Sequence, residues 1–236
     1  MMRGMAIRIL RGRLSFSAGF RIVALGITAL GLSALSGCGP RSDGVKPGKQ
    51  IEIRRYGLAS AEVDYEVSGI KVGRERFYFD HWGTREARYS HATTQMLGMS
   101  SEEDILKVVD GAWSYTIDLH KGTGTREPNP LLITYAKKIR QDGRLLLGDE
   151  LMKDMGARKA GSRTILGRTC QLWVAPLKHA QYCLWKNLVL LTRVQDGDAE
   201  LITKAVAIAE NVPVKNDVFK IPASVVIAEA VPAPAK

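Results

Sequence analysis

Residues 61–68 alternate without a break: Ala61, Val63, Tyr65 and Val67 take one side, Glu62, Asp64, Glu66 and Ser68 the other. Side chains along a strand point to opposite faces with a period of two. The stretch therefore reads as a half-buried strand and not as an amphipathic helix. The same alternation returns from Ala112 to Leu119, where Trp113, Tyr115, Ile117 and Leu119 oppose Ala112, Ser114, Thr116 and Asp118. Between them lie an aromatic-rich segment, Arg74 to Trp82, then Thr84 to Met96, then Ile105 to Val109. Gly69 to Gly73, Gly83 and Asp110-Gly111 punctuate them as turns, the last being a strong hairpin signal. Successive strands joined by short turns make an antiparallel meander.

The pattern then changes period. Asn129-Pro130 is an N-cap followed by proline at the first helical position. Leu131, Leu132, Tyr135, Ala136 and Ile139 follow at helical spacing, with Lys137, Lys138 and Arg140 near the end and Gly143 beyond it. A second short helix is expected over about Leu145 to Met155. Strands resume at Ser162 to Thr169 and Cys170 to Ala175, read as one bent strand or two. Gln181 to Asn187, Leu188 to Val194 and Glu200 to Ala209 follow. The fold class is α+β: a curved antiparallel sheet of roughly nine to eleven strands, an incomplete barrel, wrapped around a few helices.

The N-terminus carries a different signal. Arg3, Arg8, Arg11, Arg13 and Arg21 precede the uncharged run Ile22 to Leu35, and small residues and Cys38 come next. This is the layout of a secretory signal, and the 14-residue run is too short to span a bilayer. Leu35-Ser36-Gly37-Cys38 resembles the lipobox of bacterial lipoproteins, in which the cysteine is acylated; a plain signal peptide with a chance cysteine is the alternative. The expected organisation is a signal over 1–37, lipidated Cys38 and a flexible tether over 38–50, one domain over 51–225, and a disordered tail over 226–236. All five of those arginines leave with the signal, so 29 basic residues of the original 34 face 24 acidic ones, a net +5. That mild charge gives no nucleic-acid footprint.

With Cys38 used by lipid, Cys170 and Cys183 remain in a disulfide-permissive compartment. A hairpin turning at Pro176-Leu177, with paired residues summing to 353, sets Cys170 opposite Cys183 within bonding reach. Zinc is the competing use, but the pair and nearby His179 lack the ligand spacing of a metal site. His81, His91, His120 and His179 are scattered, and no catalytic motif is present. Glu102-Glu103-Asp104 reads as a helix start or solvated loop, and Gly122-Thr123-Gly124 as a plain turn. The expectation is therefore a non-enzyme with no cofactor and no metal.

Large apolar groups occupy both faces of the expected C-terminal hairpin: Cys170, Leu172, Val174 and Trp185 on one, Trp173, Tyr182 and Leu184 on the other. Either both faces are covered, or one lines an apolar pocket.

Several phrases carry a family resemblance: Tyr65-Glu66-Val67-Ser68-Gly69, Phe77 through Gly83, Gly167 through Trp173, Cys183-Leu184-Trp185, and Val218-Phe219-Lys220-Ile221-Pro222. With the lipobox they resemble the LolA/LolB-like superfamily of bacterial envelope proteins, over about residues 51–225. The resemblance implies a half-barrel with an apolar interior that holds acyl chains, and no catalytic residues. Gly39 after Cys38 implies an outer-membrane anchor facing the periplasm. The expected function is a lipid-anchored binding protein for an acyl chain, a lipoprotein or another apolar ligand, with Trp113, Tyr115, Trp173, Leu184 and Trp185 lining the cavity. The alternative is a tethered scaffold or sensor with a filled core, docking an envelope protein through the Arg/Glu-patterned strands at 74–88.

Overall fold

The structure, a computed structural model, describes residues 53–96, 98–129, 131 and 147–230. The expected signal, Cys38 and the tether lie outside these residues, as does most of the helix expected after Asn129. The start of that helix is seen: the Asn129 side chain accepts a hydrogen bond from the Leu131 N–H at 3.1 Å, as an N-cap does.

The first meander comprises β1 (Ala61–Gly69), β2 (Lys71–Asp80), β3 (Arg85–Met96), β4 (Met99–Asp110), β5 (Trp113–Asp118) and β6 (Thr123–Pro128). Helix α1 (Leu147–Asp154) precedes the second: β7 (Arg158–Ile165), β8 (Arg168–Ala175), β9 (Ala180–Trp185), β10 (Leu188–Asp196) and β11 (Ala199–Glu210). A short strand, β12 (Val226–Glu229), closes the chain. All belong to one open, curved sheet of 12 strands in the order β12-β6-β5-β4-β3-β2-β1-β11-β10-β9-β8-β7. The chain walks outward from β1 to β6, restarts at the far edge with β7, and walks back until β11 pairs with β1. The sheet is larger than the nine to eleven strands expected, and α1 is the one α-helix described over its length, so the described fold is mostly sheet.

Turn chemistry explains the tight connections. Leu166 and Gly167 take φ 50° and 71°, and Lys186 and Asn187 take 49° and 64°. Positive φ at both central residues matches the right-handed twist of flanking strands. The first pair splits the segment from 158 to 175 into two strands, resolving the one-or-two question. Gly83, at φ 85°, is required for a further reason: a Cβ there would lie 2.4 Å from the Tyr56 ring.

Four sequence expectations are corrected. Glu102-Glu103-Asp104 is neither loop nor helix start but the middle of β4, opposite Thr93, Ala92 and His91. Its charge is met across the sheet, with Glu103 ion-paired to Lys71 and Glu102 3.4 Å from His91. Thr123-Gly124 opens β6, which has almost no apolar residues and so no alternation to read. Val226–Glu229, placed in a tail, pair in parallel with β6, and Arg126 Nε donates to Glu229 at 2.6 Å. Finally, the β8–β9 hairpin pairs Leu172 with Cys183 and Ala175 with Ala180, two residues from the expected register, because its turn spans Pro176–Lys178 and His179.

The disulfide survives that shift. Cys170 and Cys183 are bonded with Cα atoms 5.4 Å apart, diagonally across the hairpin on one face. Both are fully buried with Val63, Phe77, Phe79, Leu188 and Leu190 in the main core. Reduction, or a Cys170→Ser/Cys183→Ser double variant, is expected to cost about 3 kcal/mol in the chain-entropy account of a loop this short. Melting with and without reductant checks this; an unchanged midpoint would place the cross-link outside the cooperative core.

Candidate functional site

The five residues expected to line a pocket do not meet in one place. Trp173 and Leu184 lie together, covered by α1: Met152 and Ala157 complete their buried cluster, with Leu151 and Met155 against it. The helix is held there by its C-terminal turn, in which Gly156 at φ 71° lets the Ala157 N–H reach the Met152 carbonyl at 2.8 Å. Trp185 belongs to the opposite face and the main core. Tyr115 packs in a third cluster, on Leu106, Ile117 and Phe219. Trp113, on the same face of β5, is half-buried beneath the Arg126 guanidinium at 4.7 Å. Both faces of the C-terminal hairpin are thus covered, one by α1 and the other by the main core.

The third cluster also explains the closing phrase of the sequence. Residues 216–219 cross the face of β3 and β4, where Phe219 is buried against Ala87 and Val108. Tyr89 donates its hydroxyl hydrogen to the Val218 carbonyl at 2.8 Å, and Arg85 reaches Asn216 at 2.9 Å. The Arg85 guanidinium also lies 4.2 Å from the Phe219 ring centre.

Beside that crossing segment lies a groove of about 760 Å³. Strand register builds it in rows. Glu66, Arg74, His91 and Asp104 are successive cross-strand neighbours over β1 to β4, and Asp64, Arg76 and Tyr89 form the adjoining row. Tyr78, edge-on to Tyr89 at 6.1 Å, lines it with Val206 and Val218. Arg76 Nε donates to Asp64 at 2.7 Å, and hydrogen bonds to Asp64 and Tyr78 hold the guanidinium above its ordinary pKa. Val206 is the extra residue where pairing slips between β1 and β11, which leaves it 45% exposed. On the other side of β1, burial pushes the Tyr65 hydroxyl up to about 12 against the opposing pull of Arg88; Tyr65 donates to the Val189 carbonyl at 2.9 Å.

The sequence reading assigned this charged face to the solvent or, in its second reading, to a partner. It did not find the tyrosine and valine lining. The signal was available for Tyr78: a turn at Gly69-Ile70 sets Asp64 opposite Arg76 and Glu62 opposite Tyr78. Val206 and Val218 depend on a bulge and a distant crossing, which local pattern does not encode.

Among the described residues there is no cluster of His, Cys, Asp and Glu able to hold a metal, and no helix long and apolar enough to cross a membrane. The class these observations define is an open, curved sheet protein with buried apolar clusters and, among the described residues, a large groove lined by charged, tyrosine and valine side chains. No family model matches the chain, and no curated protein does. Solved structures give remote likenesses. An uncharacterized conserved protein from Thermus thermophilus aligns with a TM-score of 0.48 and 10% identity, over 74% of this chain and 93% of that one. The Pseudomonas aeruginosa MucA/MucB complex gives 0.38 and 9%, over 70% and 56%. LprF from Mycobacterium bovis gives 0.32 and 14%, over 67% and 88%. The chain thus spans little more than half the length of the MucA/MucB chain that it matches.

Trp185 sits beside a cross-sheet ion pair with a measurable pH signature. Arg168, 5.1 Å from the Trp185 ring centre, pairs with Glu210 at 2.7 Å, and Lys186 lies 3.5 Å from the same carboxylate. The Arg168 hydrogen bond holds the Glu210 carboxyl below its ordinary value despite partial burial. A depressed carboxyl pKa contributes stability above the unfolded value and loses it as pH falls through the folded one. Glu210→Gln is therefore expected to be less stable than wild type at neutral pH, with the gap closing below about pH 4. Urea midpoints at neutral and acid pH check this; an equal gap at both would refute it.

Proposed function

We propose that this protein is a binding protein whose groove over β1–β4 docks an extended segment of an envelope protein. One observation carries the reading. Among the described residues a groove of about 760 Å³ brings tyrosine and valine side chains together with alternating charges, including the Arg76–Asp64 ion pair, while Tyr115, Trp173, Leu184 and Trp185 are divided among three separate clusters and Trp113 lies under Arg126. Tyrosine and arginine are enriched where protein interfaces derive their energy, and a groove of this volume accepts several side chains. Rows of opposite charge favour a partner with complementary charges along its length. The action is binding and not catalysis.

Cys38 carries the lipid, the tether after it gives reach, and the anchor is in the outer membrane facing the periplasm. A divergent kinship with the LolA/LolB-like superfamily accords with the lipobox, the meander and the Phe219–Pro222 ending.

Charge reversal tests the docking surface. Arg74→Glu/Arg76→Glu is expected to reduce cross-linking from a photoreactive residue at position 206 to its partner by about tenfold or more. Lipid content should stay near wild type, and melting should fall only modestly, because Glu66 and Asp64 then face like charges on an exposed face. If cross-linking is unchanged, the groove is not the docking site. If instead the variant loses a bound lipid, the acyl-carrier reading replaces this one.

A further inference from the structure

On the sheet face opposite the groove, Arg88 of β3 and Lys107 of β4 are direct cross-strand partners. Like charges so placed on one face repel and destabilise the pair. One Arg88 nitrogen is engaged by Glu75 at 2.7 Å, and its guanidinium lies 4.3 Å from the Phe77 ring centre. Lys107 has no ion pair or hydrogen bond among the described residues. Two positions along β3, Ser90 is only 7% exposed, and its hydroxyl has no hydrogen-bond partner among the described residues. These groups line a cavity of about 280 Å³ together with Thr116, the cross-strand partner of Lys107 on its other side. Lys71 and Glu103, also lining it, pair with each other. Glu75 and Glu103 are thus each matched by a cation, which leaves the Lys107 ammonium as uncompensated charge among the described residues.

We propose that this cavity binds a tetrahedral oxyanion of the phosphate class. The Lys107 ammonium and the Arg88 guanidinium supply charge-assisted hydrogen bonds, and the Ser90 and Thr116 hydroxyls donate from the floor and the far side. An anion between the two cations converts their repulsion into attraction and gives Ser90 the partner that a buried hydroxyl requires. The site opens on the other side of the sheet from the docking groove, with Glu75 bordering both: strand alternation puts Glu75, Arg88, Ser90 and Lys107 on one face, and Arg74, Arg76 and Tyr89 on the other. The same chemistry is presented by free phosphate and by a phosphomonoester lipid headgroup.

The test titrates the full chain at low salt with inorganic phosphate and, separately, with phosphatidylcholine vesicles with and without phosphatidic acid. Saturable binding is expected, about tenfold weaker in Lys107→Gln and several-fold weaker in Ser90→Ala, with Lys220→Gln unchanged. Binding of phosphate itself identifies a free oxyanion; binding that appears only with phosphatidic acid identifies a headgroup. No binding to either, or equal binding by Lys107→Gln and wild type, overturns the proposal. Melting supplies a second readout. In phosphate-free buffer both variants should melt at or above wild type, because one removes a repulsion and the other an unpartnered hydroxyl. Phosphate should then raise the wild-type midpoint but not that of Lys107→Gln. A lower melting point for Lys107→Gln in phosphate-free buffer contradicts the unrelieved pairing on which the proposal stands.

Discussion

The pairing of β1 with β11 is the contact on which the rest of this structure depends. It joins two meanders that are otherwise local, and it brings Ala59 to Asn211, 152 residues along the chain, within a 3.1 Å hydrogen bond. Closing so long a loop carries an entropic cost that local turns avoid. The compensation is burial beside the seam, where Val63, Tyr65, Phe77 and Phe79 meet Leu188, Leu190, Leu191 and Ala205. The seam is also irregular. Pairing slips between Asp64 and Tyr65, and β10 pairs with β11 only from Leu191 onward. The Tyr65 hydroxyl reaches the Val189 carbonyl just beyond that pairing. The disulfide adds a covalent tie to the same core.

The seam also shapes the groove. The slip that admits Tyr65 to the core turns Val206 outward beside Asp64, while the segment after β11 crosses the sheet and delivers Val218. Core and groove therefore occupy opposite sides of the same strands: one side of β1 and β2 carries the aromatic core, the other alternating charges that include the Arg76–Asp64 ion pair. Further across the sheet, on the side shared with the core, aromatic residues give way to the charged cavity around Lys107. A protein built this way has two chemically different surfaces to offer, and neither resembles an enclosed apolar tunnel.

Much of this was legible in the sequence wherever one face of a strand is apolar. The alternation of Ala61 to Val67 and of Trp113 to Leu119 gave β1 and β5, and glycine and aspartate marked their turns. Legibility failed where pairing, not burial, makes the strand. Glu102 to Asp104 sit in β4 by pairing with β3, where His91 faces them, while Lys71 reaches Glu103 from β2, and β6 and β12 hold by backbone pairing with little apolar content. The hairpin register missed by two residues because the left-handed His179 extends a turn that Pro176-Leu177 alone had defined. At the candidate site, the alternating charges of β1 and β2 were visible as a pattern, but their union with Tyr89, Val206 and Val218 arises only when distant segments meet. The pocket-lining role expected of Trp113, Tyr115, Trp173, Leu184 and Trp185 followed from their size and aromaticity, which suit a packed core equally well.

Filled apolar clusters would confine binding to the charged surfaces of the sheet. A spin-labelled fatty acid added to the isotopically labelled protein, with side-chain methyl resonances recorded, decides whether they are filled. The account predicts that the methyls of Met152, Leu184 and Leu190 stay sharp at saturating fatty acid. Selective broadening of those methyls would place an acyl chain among them and contradict it.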